Sequence, residues 1–262
     1  MGRLPDFIIP GFSRSGTSSM REMLDSHPDI FTPGNPDFDP ENRDRTKNKP
    51  KFELDFFNED KKWDRGIEWY SSLFESDAQL VGEKTPRYLL SSTALSRIAS
   101  TIPHVKLIIL MRNPIDRLFS QYHQFIRRDS PRKPKGIFSG RGEDSPPMQF
   151  EEFLETEDGH LSFEKGRYGH WLKTAFDIFP RNKIHLVFNE EMAAKTKKVM
   201  LEVFRFLGVK EIRPAIVKKR KRRGRIPMRD ETRQKLAERY RSDSFDLLSL
   251  VDENEIVRKW ME

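Results

Sequence analysis

The loop Gly11–Ser18, with the sequence GFSRSGTS, groups residue types that are suited to binding an anion. It follows the apolar run Phe7–Ile9, which predicts a short buried strand. Apolar residues then recur at helical spacing from Met20 to Leu24, so a helix begins directly after the loop. Backbone N–H groups at a helix N-terminus point outward and carry the positive end of the helix dipole. The predicted phosphate-binding residues are Ser13, Arg14, Ser15, Gly16, Thr17 and Ser18.

The spacing of this loop follows the GxxxxGK[ST] pattern of NTP-binding loops except at one position. Thr17 stands where that pattern has lysine, and the cation of the loop is Arg14. A P-loop kinase needs the lysine and a magnesium-binding carboxylate at a strand end, and the sequence offers neither. The loop therefore favours a nucleotide whose 5′-phosphate is bound without hydrolysis. Taken alone, the same residues are also consistent with a Ser/Gly turn that caps a surface helix.

Two further predicted strands end in cations. Gln79–Gly82 predicts a short strand followed by Lys84, and Val105–Met111 predicts a central parallel strand followed by Arg112. Loops at the carboxyl ends of parallel strands form the ligand crevice of open α/β sheets. Arg112 and Ser120, which lies two turns into the next helix, are suited to a second phosphate. Taken alone, Lys84 is also consistent with a surface lysine. Taken alone, Arg112 is consistent with a cap on a carboxylate and Ser120 with an exposed serine.

The composition limits the class of protein. The chain has 262 residues, a formal net charge of +7, a pI near 9.5 and no cysteine. Its length suits a single α/β domain over residues 1–262, with polar surface insertions near 28–51 and 129–148. The positive charge indicates an anionic partner. The lack of cysteine excludes disulfides and thiolate metal sites, and no run approaches the roughly 20 apolar residues of a membrane-spanning helix.

The rest of the chain is assigned from periodicity and charge. Phe52–Phe57, taken alone, predicts an aromatic anchor with two solvated carboxylates, Glu53 and Asp55. The cationic run at 218–225 predicts a solvated loop or a patch that binds an anion. A further buried strand is predicted at 183–188. The predicted helices are 67–74, 114–128, 149–157, 161–178, 199–207, 229–241 and 243–250.

Two phosphate sites at strand ends, without a Walker lysine, describe a nucleotide with phosphates at its 5′ and 3′ positions. Here the chain resembles the sulfotransferases that use 3′-phosphoadenosine 5′-phosphosulfate (PAPS). The stretches that carry the resemblance are SRSGT, EKTPRYL, RNPIDRLFSQY, GRYGHWL and FLGV, and they cover most of the chain. The resemblance implies a P-loop-like three-layer α/β domain with a central parallel sheet flanked by helices. It also implies PAPS as co-substrate, 3′-phosphoadenosine 5′-phosphate as product, and no metal.

A second resemblance concerns the acceptor. FELDFFNED is similar to the KExHFFD stretch of glycan sulfotransferases that act on heparan-type chains, and the RGR sequence at 223–225 resembles their KGR loop. This implies Glu53 as the general base for the acceptor hydroxyl, Arg14 in the place of a catalytic lysine, and Lys84 as a second active-site lysine. The chain departs from the pattern because Asp55 stands in place of histidine and Phe52 interrupts the lysine–glutamate pair.

The resemblance also implies a set of residues that bind the nucleotide. Arg112 and Ser120 match the pair that binds the 3′-phosphate. Tyr168 belongs to the GRYGHWL stretch, and the RGR sequence would close over the nucleotide. The nucleotide-binding residues expected outside the first loop are Arg112, Ser120, Tyr168, Arg223, Gly224 and Arg225.

The expected function is transfer of a sulfuryl group to a hydroxyl or amine, most readily on a carbohydrate, with no nucleic-acid partner and no membrane segment. Sulfation of protein tyrosine or of a small molecule is an alternative, since RSGTSSMREMLDSHP also resembles the tyrosine-directed branch. A nucleic-acid-binding P-loop-like protein is a further alternative that explains the charge. We expect a cytoplasmic location, with the soluble lumenal domain of a trimmed Golgi-type protein as the alternative.

Overall fold

The computed structural model describes residues 2–37, 52–128, 148–215 and 227–261, and the side chains at 127 and 128 are not included. Most of both predicted insertions, the cationic run and the RGR sequence, Arg223, Gly224 and Arg225, therefore lie outside the described residues. The chain divides into two compact units. Unit 1 comprises Met1–Met111 and Trp171–Lys219, and unit 2 comprises Arg112–His170 and Arg220–Glu262.

Unit 1 is built on a parallel sheet in which the strand order is β2-β3-β1-β4-β5. The strands are β1 (Phe7–Ile8), β2 (Ile30–Phe31), β3 (Leu80–Glu83), β4 (Lys106–Met111) and β5 (Ile184–Phe188). The apolar sequence of β4 fits its place inside the sheet, where five of its six residues are buried. The predicted α/β fold with a central parallel sheet flanked by helices is confirmed.

Twelve helices are found within the described residues. They are α1 (Thr17–Asp25), α2 (Asp60–Trp63), α3 (Gly66–Ser72), α4 (Ser92–Thr101), α5 (Pro114–Arg128), α6 (Phe150–Leu154), α7 (Glu157–Glu164), α8 (Tyr168–Ile178), α9 (Asn189–Ala194), α10 (Thr196–Leu207), α11 (Asp230–Leu250) and α12 (Glu255–Arg258). Short 3₁₀ turns cover Pro86–Leu90 and Arg181–Lys183. No helix in the described part of the chain is long and apolar enough to cross a bilayer.

The core of unit 1 fixes the first strand and the first helix against each other. Met20, Met23 and Leu24 of α1 are buried in one cluster with Phe7 and with residues of β4 and α10. Burial of apolar side chains is the main favourable term in folding, so this cluster holds the loop between β1 and α1 at both of its ends. Helix α10 ends as predicted at Gly208, which has the left-handed φ of 87° that glycine adopts at low cost.

Strand β2 lies inside the insertion predicted from residue 28, so the first part of that insertion belongs to the sheet. The strand has only two residues, and it pairs with β3 through Ile30 opposite Leu80 and Phe31 opposite Val81. A strand this short has no periodicity of its own, because partner strand and burial stabilise it. Strand β5 is as predicted, but it forms the edge of the sheet and is only partly buried.

Two helix assignments differ from the prediction in the number of helices, and Asp243 connects the two regions. The predicted helix at 161–178 is two helices, and its second part begins at Tyr168. The helices predicted at 229–241 and 243–250 form one continuous helix, α11. Asp243 looks like the first residue of a new helix, but its carboxylate accepts the N–H groups of Gly169 (3.1 Å) and His170 (3.2 Å). An interior residue of α11 therefore caps the start of α8.

Candidate active site

The loop between β1 and α1 has the backbone of an anion site. Gly16 precedes α1 with φ at 102°, and Arg14 is also in the left-handed region at 76°. Gly11 has φ at 146° and forms a parallel bridge with Leu110, whose backbone would lie 3.2 Å from an added Cβ. These values leave little room for side chains, which is the use of glycine in such turns. The first N–H groups of α1 are therefore presented at the loop.

One hydroxyl inside the loop is suited to an anion. The Oγ of Ser15 is buried and has no hydrogen-bond partner among the described residues. A buried polar group without a partner costs free energy, which is recovered when a ligand oxygen accepts from it. The backbone of the loop is secured separately, because Asn189 Nδ2 donates to the carbonyl of Ser15 at 2.9 Å. The loop therefore fits a nucleotide phosphate.

Glu53 and Lys84, which the resemblance assigns to the active site, are in contact. Lys84 Nζ donates to Glu53 Oε1 at 2.6 Å, and Lys84 follows directly after β3. The Lys84 side chain is 6% exposed, whereas that of Glu53 is 21% exposed and reaches solvent. Oε2 of Glu53 has no partner among the described residues, so it is available to accept the proton of a bound hydroxyl.

Asp55 differs from its prediction as a solvated carboxylate. It is fully buried, it has a left-handed φ of 57°, and its Oδ2 accepts from Arg87 Nη2 at 2.5 Å. Burial raises the pKa of Asp55 above its ordinary value, while the Arg87 guanidinium acts in the opposite direction. Arg87 also lies 3.4 Å from Glu59. Asp55 therefore belongs to an ion pair that shapes the segment after Glu53.

A set of buried hydroxyl groups surrounds Glu83, the last residue of β3. Tyr70 Oη donates to Glu83 Oε1 at 2.5 Å, Tyr88 Oη to the same oxygen at 3.1 Å, and Thr85 Oγ1 to Oε2 at 2.7 Å. We call these four residues the Glu83 network. Glu83 is 1% exposed, and burial raises its pKa to about 7 against the lowering effect of these hydrogen bonds.

The residues expected at the 3′-phosphate lie in unit 2. Arg112 is half-buried and stands two residues before α5. Ser120 lies inside α5 and is 2% exposed, so the interpretation of this serine as exposed is wrong. Tyr168 is also buried, and its hydroxyl donates to the carbonyl of Arg112 at 2.8 Å. Tyr168 thus holds the backbone of Arg112, and the nucleotide contacts of all three residues stay predictions.

Sequence reasoning missed the residues that support the site. These are Glu83, Thr85, Tyr88, Arg87 and Asn189. EKTPRYL was noted for its lysine alone, although four of these five residues lie within it. No group of three or more potential metal ligands occurs within the described ranges.

A parallel α/β sheet with a glycine-rich loop between its first strand and first helix defines a P-loop-like fold. Residues 4–230 match the model of the sulfotransferase domain family. The chain therefore belongs to the sulfotransferase family, and the resemblance found in the sequence is confirmed.

Individual relatives agree with this family. Heparan sulfate glucosamine 3-O-sulfotransferase 6 of Mus musculus is 30% identical over 213 residues, which are 80% of this chain and 54% of the mouse protein. The membrane-associated sulfotransferase kil1 of Dictyostelium discoideum is 30% identical over 155 residues, or 56% of this chain and 26% of that protein. The chain thus spans about half the length of the mouse relative and a smaller share of the Dictyostelium protein.

A solved structure has the same fold over the whole length. The crystal structure of a sulfotransferase from Alicyclobacillus acidocaldarius superposes with a TM-score of 0.75 and covers 99% of this chain and 100% of that chain. The two sequences are 23% identical. This similarity supports the fold and adds nothing about the acceptor.

Proposed function

We propose that this protein transfers the sulfuryl group of PAPS to a hydroxyl or amine of a carbohydrate. The observation that carries the proposal is the contact between Glu53 and Lys84 at 2.6 Å, in the same unit as a loop fitted for a phosphate. PAPS as donor is inferred from the family. A carbohydrate acceptor is inferred from the heparan sulfate glucosamine sulfotransferases among the relatives.

Each residue of the proposed site has a role that its chemistry allows. Glu53 takes the proton of the acceptor as that oxygen or nitrogen attacks sulfur. Lys84, which already donates to Glu53, holds that carboxylate in place. Arg14 neutralises charge on the bridging oxygen as the sulfur–oxygen bond breaks, because a guanidinium does not readily give up its proton. The N–H groups at the start of α1 and the Ser15 hydroxyl bind the 5′-phosphate.

We propose further that the match over residues 4–230 marks one sulfotransferase domain, since it includes residues of both units. The protein-tyrosine and small-molecule acceptors stay as alternatives within the same chemistry. For the location, the lumenal alternative has more support than the cytoplasmic expectation, because one relative is named as membrane-associated.

The first test is calorimetric titration with adenosine 3′,5′-bisphosphate, with ATP and adenosine 5′-monophosphate as controls. Binding of the bisphosphate at least tenfold tighter than of both controls is expected, because two phosphates are then bound. Transfer is next measured with labelled PAPS and an N-sulfated heparosan oligosaccharide, with a tyrosine peptide as the competing acceptor. Equal affinity for all three nucleotides contradicts the proposal.

The 3′-phosphate assignment is tested by Arg112→Ala. Loss of a charge-assisted hydrogen bond costs roughly 1.5–3 kcal/mol, so bisphosphate affinity should fall by about tenfold to a hundredfold. Affinity for adenosine 5′-monophosphate should change little, because that nucleotide has no 3′-phosphate. Equal losses for both nucleotides would remove Arg112 from the site.

A further inference from the structure

Glu83 is a buried acid that the proposed reaction does not use. It is 1% exposed, and within the described ranges it forms no ion pair. All of its side-chain hydrogen bonds come from the hydroxyls of the Glu83 network. A buried carboxylate without a cation is costly, and apolar residues fill such a position at lower cost. Its presence therefore calls for a reason other than packing.

Two hydroxyls of the Glu83 network, those of Thr85 and Tyr88, connect Glu83 to the backbone after Glu53. Thr85 Oγ1 donates to Glu83 and accepts the N–H of Leu54 at 3.0 Å, with the N–H of Asp55 at 3.4 Å. Tyr88 Oη donates to Glu83 and accepts the N–H of Phe56 at 2.9 Å. A backbone N–H can only donate, so each hydroxyl accepts from it and directs its own single hydrogen to Glu83. The carboxylate thus orients both hydroxyls toward the segment after Glu53.

Among the described residues, the segment at 54–56 pairs with no strand. Its N–H groups at 54–56 are bound by the two hydroxyls, the Glu53 carbonyl accepts from Asn35 Nδ2 at 2.7 Å, and the Leu54 carbonyl accepts from Lys62 Nζ at 2.5 Å. Buried backbone groups need such partners, and side chains provide them here in place of a sheet. The position of Glu53 therefore depends on these side chains.

The Glu83 network and the segment at 54–56 each adjoin one residue of the proposed catalytic pair, Glu53 and Lys84. Lys84 lies in sequence between Glu83 and Thr85, and Glu53 directly precedes Leu54. The 2.6 Å contact between Glu53 and Lys84 closes a ring that runs through Thr85 and back to Leu54. A shift of the segment at 54–56 would move Glu53 relative to Lys84.

We propose that Glu83 is a positioning residue for the sulfuryl transfer, which acts through Thr85 and Tyr88 on the backbone after Glu53. The proposal rests on the proposed function, because it assigns Glu83 to the placement of that reaction's base. The titratable groups that face Glu83 are Tyr70, Tyr88 and Asp55. Burial and the nearby Glu83 charge raise the pKa of both tyrosines well above 10, so their hydroxyls stay protonated donors.

The network contains a matched pair of tyrosines for the test. Tyr70 and Tyr88 both donate to Glu83 Oε1, but only the Tyr88 hydroxyl also accepts from the backbone at Phe56. Tyr88→Phe and Tyr70→Phe therefore remove the same donor from the same oxygen, and only the first breaks the link to the segment. Both variants keep the ring that packs in the core. Calorimetric titration with adenosine 3′,5′-bisphosphate checks that each remains folded and binds as the wild type does.

Two readouts are compared in this pair. Hydrogen exchange of the peptide that contains residues 54–56 should be at least tenfold faster in Tyr88→Phe than in Tyr70→Phe. The kcat for transfer from PAPS to N-sulfated heparosan oligosaccharide should fall at least tenfold more in Tyr88→Phe, with the KM for PAPS unchanged. Thr85→Ser should keep kcat within about threefold of wild type, whereas Thr85→Val should lower it at least tenfold.

Each outcome decides the proposal. Equal exchange in the two tyrosine variants overturns it, and so does faster exchange in Tyr88→Phe with kcat equal in both. If the wild type transfers no sulfuryl group, the proposed function fails and the role of Glu83 falls with it. If the wild type transfers while the pair shows no difference, only the role of Glu83 fails.

Discussion

The two halves of the candidate site in unit 1 are built in different ways. The loop at Gly11–Ser18 is one continuous segment, and its binding groups are mainly backbone N–H groups and small side chains. The Glu53–Lys84 corner joins segments 31 residues apart through buried side chains. The backbone shape of the loop therefore depends mainly on its own residues, with one distant side-chain contact from Asn189, whereas the corner is built wholly from tertiary contacts.

Because of this difference, we expect the loop to affect nucleotide binding and the corner to affect the reaction. An anion at the loop meets N–H groups and one hydroxyl, which do not titrate near neutral pH. The corner contains Glu53, Lys84, Asp55, Arg87 and Glu83, and two of these carboxyls have pKa values raised by burial. Substitutions in the loop should therefore change nucleotide affinity, and substitutions in the corner should change the rate and the dependence on pH.

The largest expected effect is that of Glu53→Gln. The amide cannot take a proton, so kcat should fall by about a hundredfold to ten-thousandfold, as is usual for loss of a general base. Affinity for adenosine 3′,5′-bisphosphate should stay within about threefold, because the groups proposed to bind the nucleotide do not include Glu53. The control is Glu22→Gln, an exposed change on α1. A variant that keeps most of its rate would show that Glu53 is not the base.

The substitution Glu83→Gln tests whether the buried carboxyl at the corner makes the free energy of unfolding depend on pH. The pKa of Glu83 is raised from 4.5 to about 7, so the folded protein binds this proton more tightly than the unfolded chain does. The stabilisation from that proton is fully present below pH 4.5 and is lost as pH rises through about 7. Over this range the difference is roughly 3 kcal/mol at ~1.4 kcal/mol per pKa unit.

Urea unfolding at several pH values measures this effect. The free energy of unfolding of the wild type should fall more steeply between pH 5 and pH 8 than that of Glu83→Gln, by roughly 2.5 kcal/mol over these three pH units. Glu22→Gln should follow the wild type, because that carboxyl is exposed. Parallel curves for the wild type and Glu83→Gln would mean that Glu83 titrates near its ordinary pKa.

The sequence predicts the loop and the main strands well because their signals are local. The glycine spacing, the small residues and the apolar run of β4 are all readable within a few positions. Arg14 was singled out as the cation of the loop, and Lys84 and Arg112 because each follows a predicted strand; their part in binding stays a prediction. The β2 strand was missed because two residues carry no period.

The support of the site could not be predicted in the same way. Asn189 reaches Ser15 across 174 positions, and Thr85 reaches Leu54 across 31. Threonine, tyrosine and asparagine serve many structural roles, so their types alone do not identify these partners. Asp243 was misread for the same reason, since the start of α8 that it caps lies more than 70 positions away.

Gly16→Ala tests whether the loop depends on its local geometry. An added Cβ would lie 2.6 Å from Asn189 Nδ2 and 2.7 Å from Met192 Cε, at a φ of 102° that alanine rarely adopts. The positive φ alone costs on the order of 1–3 kcal/mol and the two close contacts add to it, so bisphosphate affinity should fall at least tenfold. Gly66→Ala is the control, because it has a φ of 81° with no atom within 4 Å of the Cβ. Equal losses in both variants would contradict the fit of the loop.

The smallest expected effect is that of Asn189→Ala, which tests how far a tertiary contact stabilises the loop. Asn189 is a distant side chain that binds the loop backbone at the Ser15 carbonyl, 2.9 Å away. A hydrogen bond of this kind contributes about 1 kcal/mol, so bisphosphate affinity should fall roughly fivefold, with kcat unchanged. The exposed change Asn182→Ala is the control. A loss of affinity as large as that of Gly16→Ala would contradict this. It would mean that the backbone of the loop cannot keep its N–H groups in place without tertiary contacts, as in the corner.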